Sequence, residues 1–414
     1  MTSSAGEPIE LDITGFAHGG TAIARHDGRV VFVADAIPGE RVRAIVTDAS
    51  KSSFWRADAV EVVEASPHRR PHIWPEADIS RPPEVRVGGA DLGHIALAHQ
   101  RELTQRVLQE ALDKFAGGGL SAPVVAGVDD GDGTGWRTRM SLHVDADGRV
   151  GPFAGRSHRV IDVETLPLAR PVLAAAAAGL RGAEPGRVSF VEPADGEARV
   201  LRHPERPSKQ RRGARPPRRP RAETILERVG DRDFRLDADG FWQVHPQAAT
   251  TLDAAVRSLL DGRIDPESTH FDLYGGVGLF SSTLATLGAE DIVTVESDAR
   301  ATAHARENLA PLDVTAVTAR VDRFLSSRPS GAGTGAVVLD PPRAGAGREV
   351  VEGIHALEPE AVVYVACDPV ALARDLGTFR RLGWEAAELR AFDLFPHSHH
   401  FETVALLLPP GRGR

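Results

Sequence analysis

Cysteine is almost absent from the 414-residue sequence, which contains a single one, Cys367. One cysteine cannot form an internal disulfide, and it excludes a metal or iron–sulfur site built from several cysteines. Aromatic residues are scarce at 5%, and no apolar run approaches the length of a membrane span. The first twenty residues lack the apolar core of a signal peptide. These absences predict a cytoplasmic protein with no metal, no cluster and no membrane partner.

Hydrophobic residues are plentiful, at 42% of the chain, which is enough for more than one packed domain. The formal net charge is −9, so the chain as a whole is not a basic nucleic-acid binder. Residues 202–221 are the exception, because nine of them are basic and one is acidic, a net charge of +8 that leaves −17 for the rest. This composition predicts a flexible loop with an anionic partner.

The order of sequence patterns predicts three domains. Residues 1–65 read as short strands separated by glycine turns, which is typical of a small OB-like barrel, a frequent nucleic-acid-binding fold. Residues 66–235 contain a Pro-rich stretch, a helix from Ala96 and several strands, which predicts a central α+β domain that carries the basic loop. Residues 236–414 alternate between helix and strand, which predicts a doubly wound α/β domain with parallel strands.

Chemically active side chains follow the predicted strands of this last domain. Ligands of open α/β sheets bind beyond the carboxyl ends of the strands. The first strand ends in "DLYGGVGLF", and the next four end near Glu296, Asp322, Asp340 and Cys367. The glycine turn could serve NAD, FAD or S-adenosylmethionine. Ser281 replaces the third glycine of the dinucleotide pattern, which favours S-adenosylmethionine.

The last motif, "FDLFPHSHHFETVALLL", contains three histidines and Glu402. The histidines 397, 399 and 400 could be metal ligands, a base, or a scaffold around Glu402, although one turn offers few ligands for a metal. A cysteine and a carboxylate beside a methyl donor favour methylation of uracil at carbon 5. That reaction needs a thiolate of lowered pKa to add at carbon 6, and a base to remove the carbon-5 proton afterwards. Cys367 and Glu402 fit these two roles.

Four motifs, "DLYGGVGLF", "LDPPRAG", "VYVACDP" and "DLFPHSHHFETVALL", resemble those of the RNA 5-methyluridine methyltransferases. The N-terminal stretch resembles the TRAM barrel of that family, and "WRTRMSLHV" resembles its central β-rich domain. The resemblance implies a Rossmann-like, S-adenosylmethionine-dependent methyltransferase domain at the C-terminus, with Cys367 as nucleophile and Glu402 as general base. It makes Arg137 and Arg139 candidate RNA contacts, with ordinary exposed strand arginines as the alternative. It also implies cofactor contacts at Gln243, Tyr274, Glu296, Asp340 and Asp322.

One departure from the family concerns the iron–sulfur cluster that several ribosomal-RNA members hold. None of its four cysteines is present, and Leu166 stands where those members have one. The implied function is formation of 5-methyluridine in 23S rRNA or tRNA, on a uridine flipped into the pocket. A cytosine-C5 methyltransferase, a non-catalytic RNA-binding protein and a nicotinamide-dependent oxidoreductase remain alternatives. The sequence leaves the target uridine and the oligomeric state open, with a monomer expected.

Overall fold

The computed structural model describes residues 7–129, 131–155, 157–180, 184–205, 223–328 and 333–411. Residues 206–222, which form most of the predicted basic loop, lie outside the described residues. The prediction of a loop is wrong at its start, because the strand Arg199–Pro204 includes the first three of its residues and pairs with a neighbouring strand. Within the described ranges no helix is both long enough and apolar enough to cross a bilayer.

The N-terminal domain is a closed five-stranded barrel, as the sequence predicts. Its strands pair in the order β1-β2-β3-β5-β4. They are β1 (Ile9–Ala17), β2 (Thr21–His26), β3 (Arg29–Ala34), β4 (Arg41–Asp48) and β5 (Phe54–Glu64). Alternate side chains, among them Leu11 and Ile13, point inward and fill the barrel, because successive residues of a strand face opposite sides.

Two ion pairs fix the barrel to the segment that follows it. Arg69 Nε lies 2.6 Å from Glu40 Oε1, and Arg86 Nη1 lies 2.8 Å from Asp35 Oδ2. This segment contains two short 3-10 helices (Pro75–Ala77 and Pro83–Val85), helix α1 (Leu97–Phe115) and strand β6 (Val125–Gly127).

The central β structure consists of a four-stranded sheet and a hairpin. The sheet has the order β10-β9-β7-β8, and the hairpin pairs β11 with β12. The elements are β7 (Arg139–Val144), β8 (Val150–Gly151), α2 (Pro171–Ala178), β9 (Gly186–Val191), β10 (Arg199–Pro204), β11 (Thr224–Val229) and β12 (Arg232–Asp237). Helix α2 packs on one face of the sheet through Leu173.

An eight-stranded sheet in the order β15-β14-β13-β16-β17-β19-β18-β6 organises the C-terminal half. Its remaining elements are α3 (Ala248–Leu260), β13 (Thr269–Leu273), α4 (Leu279–Thr286), β14 (Asp291–Glu296), α5 (Ala299–Asn308), β15 (Val314–Thr318), α6 (Val321–Ser326), β16 (Thr334–Leu339), α7 (Arg348–Ala356), β17 (Ala361–Ala366), α8 (Pro369–Arg381), β18 (Glu385–Asp393) and β19 (Glu402–Leu408). The five strands from β13 to β17 are parallel.

The prediction of parallel strands holds from β13 to β17 and is wrong for β19. Strand β18 follows β17 through helix α8, whereas β19 returns between them through the short connection 394–401 and is antiparallel to both. A short connection can join only antiparallel strands, because a parallel pair needs a crossover of a dozen or more residues.

Helices cover both faces of the large sheet. Helices α3 and α4 and the β11–β12 hairpin pack on one face, and α1, α6, α7 and α8 pack on the other. Helix α1 and strand β6 thus add to this sheet from the region that the sequence assigned to the central domain. The division of the chain at residues 65 and 235 stays a prediction.

Candidate active site

The carboxyl edge of the large sheet collects most of the side chains that the sequence singles out. Strands β14, β13, β16, β17 and β19 lie side by side in that order. At this edge they lead, in the same order, to Glu296, Tyr274, Asp340, Cys367 and Glu402. Strand β19 contributes its first residue, because it runs opposite to the others.

The turn between β13 and α4 has a backbone suited to close approach by a ligand. A Cβ on Gly275 would lie 2.0 Å from Thr294 Oγ1, so only glycine fits there. Gly276 has a φ of 56° and Tyr274 one of 63°, in the region that a non-glycine residue rarely adopts. The Gly276 amide donates to Glu296 Oε2 at 3.2 Å, which ties the turn to the end of β14. Such strain is typical of functional sites.

Three carboxyl groups with raised pKa values crowd the middle of this edge. Burial raises the pKa of Asp272 to about 6, although Ser281 donates to its Oδ2 from the amide and the hydroxyl. Burial and the charge of Asp272 raise the pKa of Asp340 to about 7. Burial and Asp340 raise the pKa of Glu402 well above its ordinary value. Asp272 is not among the site residues predicted from the sequence. The one indication in the sequence is that an acidic residue lies between two apolar residues of a strand.

This concentration of buried carboxyls fits a cationic ligand. Among the described residues, Asp272 Oδ1 and Glu402 Oε2 have no hydrogen-bond partner. S-adenosylmethionine carries a sulfonium and an ammonium group, and its ribose hydroxyls suit an acid at the position of Glu296. A Cβ on Gly276 would meet nothing within 4 Å, so there is open space beside the turn. The residues present therefore fit the predicted cofactor.

Cys367 and Glu402 approach each other because β17 and β19 are antiparallel neighbours. Their register pairs Val365 with Val404 and ends at Ala366 with Thr403. One further step in the same register would bring Cys367 opposite Glu402, and the charge of Glu402 acts on the Cys367 thiol, as expected of close neighbours. Directly opposed residues of antiparallel strands point to the same side, with Cβ atoms about 4.5–5.5 Å apart. Glu402 is only 4% exposed, whereas Cys367 is partly accessible. A buried carboxyl group thus faces a thiol that a substrate can reach.

The thiol of Cys367 is not activated by the chain alone. Burial, with the carboxyl groups of Glu402 and Asp340 adding to it, raises the pKa of Cys367 to about 12. The expectation of a lowered thiol pKa is therefore wrong for the protein by itself. The physical reason is the burial of the sulfur, to which the two acids that β16 and β19 bring beside it add. Those acids lie far from Cys367 in the sequence.

Arg343, on the turn after β16, carries a positive charge that opposes these shifts. It lowers the pKa of both Cys367 and Glu402. Its Nη2 lies 3.1 Å from His400 Nε2. Burial, with His399 and Arg343 contributing, lowers the pKa of His400 to about 3. The imidazole is therefore neutral and accepts from Arg343, which makes His400 a weaker candidate base than Glu402.

His397 and His399 hold the loop that precedes Glu402. The His397 amide donates to Gln100 Oε1 at 2.9 Å, and its ring Nδ1 lies 3.0 Å from Gln100 Nε2. His399 Nδ1 lies 2.7 Å from Asp91 Oδ2. These contacts support the scaffold interpretation of the histidines. Within the ranges that the structure describes, no group of three His, Cys, Asp or Glu side chains could hold a metal ion.

The two remaining predicted cofactor contacts, Gln243 and Asp322, lie outside this row of five strand ends. Gln243 lies between β12 and α3, beside the buried Trp242. Asp322 lies in the first turn of α6, where Arg320 Nη2 is 2.8 Å from its Oδ2 and lowers its pKa. Asp322 also lies close enough to Tyr274 to add to the effect of burial, which raises the pKa of the phenol to about 12.

The two arginines predicted to contact RNA have different surroundings. Arg139 Nη2 lies 3.0 Å from Glu227 Oε1, and its Nη1 donates to the carbonyls of Ala238 and Gly240. Arg139 is thus held by partners within the fold, and its role as an RNA contact stays a prediction. Burial and nearby Arg343 lower the pKa of Arg137, which places Arg137 next to the candidate site.

Two family models match the chain. The TRAM domain model matches residues 3–60, which include most of the barrel. The model described as tRNA (Uracil-5-)-methyltransferase matches residues 332–409, which span β16 to β19 and contain Asp340, Cys367 and Glu402.

Relatives and solved structures match over nearly the whole length. The chain is 38% identical to an uncharacterized RNA methyltransferase of Streptomyces avermitilis, over 99% of this chain and 100% of the relative. It is 30% identical to the 23S rRNA (uracil(1939)-C(5))-methyltransferase RlmD of Shewanella sp. strain ANA-3, over 94% of this chain and 93% of the relative. The crystal structure of Pyrococcus abyssi tRNA (uracil-54, C5)-methyltransferase in complex with S-adenosyl-L-homocysteine matches with a TM-score of 0.69 and 22% identity, over 98% of this chain and 100% of that one. The last likeness shows a shared fold.

Proposed function

Because the chain belongs to the family of S-adenosylmethionine-dependent RNA uracil-C5 methyltransferases, we propose that it forms 5-methyluridine through a covalent adduct between Cys367 and carbon 6 of uracil. The observation that carries the proposal is the position of Cys367 opposite Glu402 at the carboxyl edge of the sheet. A nucleophile and a base that face the same space are what this reaction requires.

Carbon 5 of uracil is a poor nucleophile until a thiolate adds at carbon 6. When the Cys367 sulfur bonds to carbon 6, the electron pair of the 5,6 double bond moves onto carbon 5 and the carbonyl oxygen at carbon 4. S-adenosylmethionine, when bound, supplies an electrophilic methyl group to carbon 5. Glu402 then takes the carbon-5 proton, the double bond re-forms, and the bond between sulfur and carbon 6 breaks. Cys367 is regenerated without oxidation or reduction.

The raised pKa values of Cys367 and Glu402 are compatible with these steps when positively charged groups lie beside them. A thiol with a pKa of about 12 is almost fully protonated at neutral pH. Arg343 and a cationic cofactor both favour the thiolate, so Cys367 becomes reactive only in the loaded site. A carboxylate of raised pKa is a stronger base than an ordinary glutamate, which suits Glu402 to removal of the carbon-5 proton.

We assign the cofactor to the part of the edge around the glycine turn. Glu296 would bind the ribose hydroxyls, and Asp340 would offset the positive charge of the ligand. Tyr274 and Gln243 complete the contacts, with Asp322 on the side of the adenine. The raised pKa of Asp340 supports its assignment, because a buried acid without a cation is unfavourable.

The substrate that we propose is a uridine in 23S rRNA or tRNA. The Shewanella relative is named for 23S rRNA and covers nearly the whole chain, which supports ribosomal RNA as the first substrate to test. The target base must leave its stack, because carbons 5 and 6 are unreachable within it. The barrel and the basic residues 202–221 would hold the RNA backbone through its phosphates.

The test is to map 5-methyluridine in rRNA and tRNA from strains with and without the gene. One uridine should lose its methyl group on deletion and regain it with the wild-type gene. A gene encoding Cys367→Ala should not restore it. If deletion removes 5-methylcytidine instead, the enzyme acts on cytosine and the proposal is wrong.

Glu402→Gln separates the base from the nucleophile. This variant should still form the adduct but release it slowly, so a protein–RNA complex should persist on a denaturing gel. Normal turnover without a trapped complex would show that another group removes the proton.

A further inference from the structure

The β1–β2 turn of the barrel, residues 18–20, touches the carboxyl edge of the large sheet. His18 Nε2 lies 3.0 Å from Asp368 Oδ2. Asp368 directly follows Cys367 in the chain. The side chains of His18 and Asp368 are 40% and 21% exposed, so the contact lies at a surface that RNA can reach. The RNA-binding barrel is therefore in direct contact with the neighbour of the nucleophile.

Asp368 uses its two carboxylate oxygens for different purposes. Its Oδ1 accepts from the amides of Val370 and Ala371 and so caps the N-terminus of α8. The other oxygen, Oδ2, is the one that contacts Nε2 of His18. The backbone between β17 and α8, which includes Cys367, is thus fixed from the helix side and from the barrel side.

The same turn also packs against the loop that leads to Glu402. A Cβ on Gly20 would lie 2.9 Å from the Cβ of His399 and 3.3 Å from that of Asp91, so the turn approaches as closely as glycine permits. The rings of His18 and His399 meet edge to face, with centroids 6.4 Å apart. His399 is in turn held by Asp91 at 2.7 Å. Residues 18–20 thus lie against both loops that carry the proposed catalytic side chains.

We propose that His18 is a positioning residue that couples the barrel to the nucleophile. By donating from Nε2 to Asp368, it holds the Cys367 backbone in the orientation from which the sulfur attacks carbon 6. Binding of RNA to the barrel then increases the rate of adduct formation, in addition to contributing to the affinity of the protein for RNA. The inference rests on the proposed function, because it assigns His18 a part in the step that Cys367 performs.

The hydrogen bond does not require a charged imidazole. A neutral ring with its proton on Nε2 donates to Asp368 as well as a protonated one. A glutamine side chain can also present an N–H group at this position. His18→Gln should therefore preserve the function, and His18→Ala should remove it.

The experiment measures adduct formation with RNA that carries 5-fluorouridine at the target, in the presence of S-adenosylmethionine. Fluorine at carbon 5 cannot be removed as a proton, so the adduct accumulates and its rate reports the attack step. For His18→Ala we expect a rate about tenfold lower, as for the loss of one hydrogen bond to a charged group. The dissociation constant for RNA should change less than about twofold, since a positioning role mainly affects the attack step. His18→Gln should restore most of the rate.

His26→Ala is the matched control. His26 lies at the other end of β2, where its imidazole contacts Asp27 within the barrel. With RNA at a saturating concentration, it should leave the rate of adduct formation unchanged. A wild-type rate in His18→Ala would overturn the proposal, as would a variant that loses only RNA affinity.

Failure of the His18 proposal can be distinguished from failure of the proposed function. If Cys367→Ala still methylates RNA, the covalent mechanism itself is wrong. If Cys367→Ala is inactive while His18→Ala attacks at the normal rate, only the coupling through Asp368 is refuted.

Discussion

Replacing Glu402 by glutamine should make Cys367 more reactive toward a simple electrophile, although the same change impairs turnover. Continuing the register of β17 and β19 places the two side chains opposite each other, with Cβ atoms about 5 Å apart. At that distance and an effective dielectric constant of about 20, two unit charges interact by about 3 kcal/mol, or about two pKa units. Without the Glu402 carboxylate, the pKa of Cys367 should therefore fall by about two units from its value of about 12.

The assay uses the fact that Cys367 is the only cysteine, so alkylation by iodoacetamide reports on this thiol alone. A drop of two pKa units raises the thiolate fraction about 100-fold. The thiolate of lower pKa is also a weaker nucleophile, which reduces the rate about tenfold. We expect alkylation about tenfold faster at pH 9. Glu385→Gln, on the exposed start of β18, should react like the wild type. Equal rates for wild type and Glu402→Gln from pH 7 to 10 would refute the arrangement.

Two further predictions concern stability. The pKa of Asp340, raised to about 7, means that folding favours the protonated carboxyl, and this stability is lost as the pH rises through about 7. Asp340→Asn should therefore gain about 4 kcal/mol in the free energy of urea unfolding at pH 8, because a shift of about three pKa units is worth about that much, and it should gain little at pH 4. The exposed control Asp313→Asn should gain nothing, and equal gains at both pH values would contradict the reasoning. Gln100→Ala leaves the His397 amide without its buried acceptor, and we expect a loss of about 2 kcal/mol in the free energy of unfolding, together with slower methylation. An unchanged unfolding midpoint would show that Gln100 does not hold this loop.

The sequence predicts the carboxyl edge well because buried parallel strands have a simple signature. Apolar runs such as those before Asp340 and Cys367 are buried on both faces, and the polar residue that ends each run marks the edge. The relatives confirm the family on which the site prediction rests. The local pattern could not reveal the surroundings of each side chain. Arg139 pairs with Glu227 from a strand 88 residues away.

Strand β18 is hard to predict from the sequence for a related reason. Its sequence, "EAAELRAFD", mixes charged and small residues, and its first half is largely exposed. Such a strand carries a weak hydrophobic signal, because only part of it packs into the core. Without β18, the return of β19 between two strands could not be foreseen.

The direction of β19 decides whether the proposed chemistry is possible. Glu402 is the first residue of that strand, and β19 spans Glu402–Leu408. In a parallel sheet the first residue of a strand lies at the amino edge, about 20 Å from the carboxyl edge for a strand of this length. Cys367 would then face no base, and Glu402 would be an unexplained buried acid. The antiparallel return brings the carboxyl group to the thiol, and it also raises the pKa of both groups. The pairing of nucleophile with base, and the part of the high thiol pKa that Glu402 adds to the effect of burial, are therefore two consequences of one topological feature.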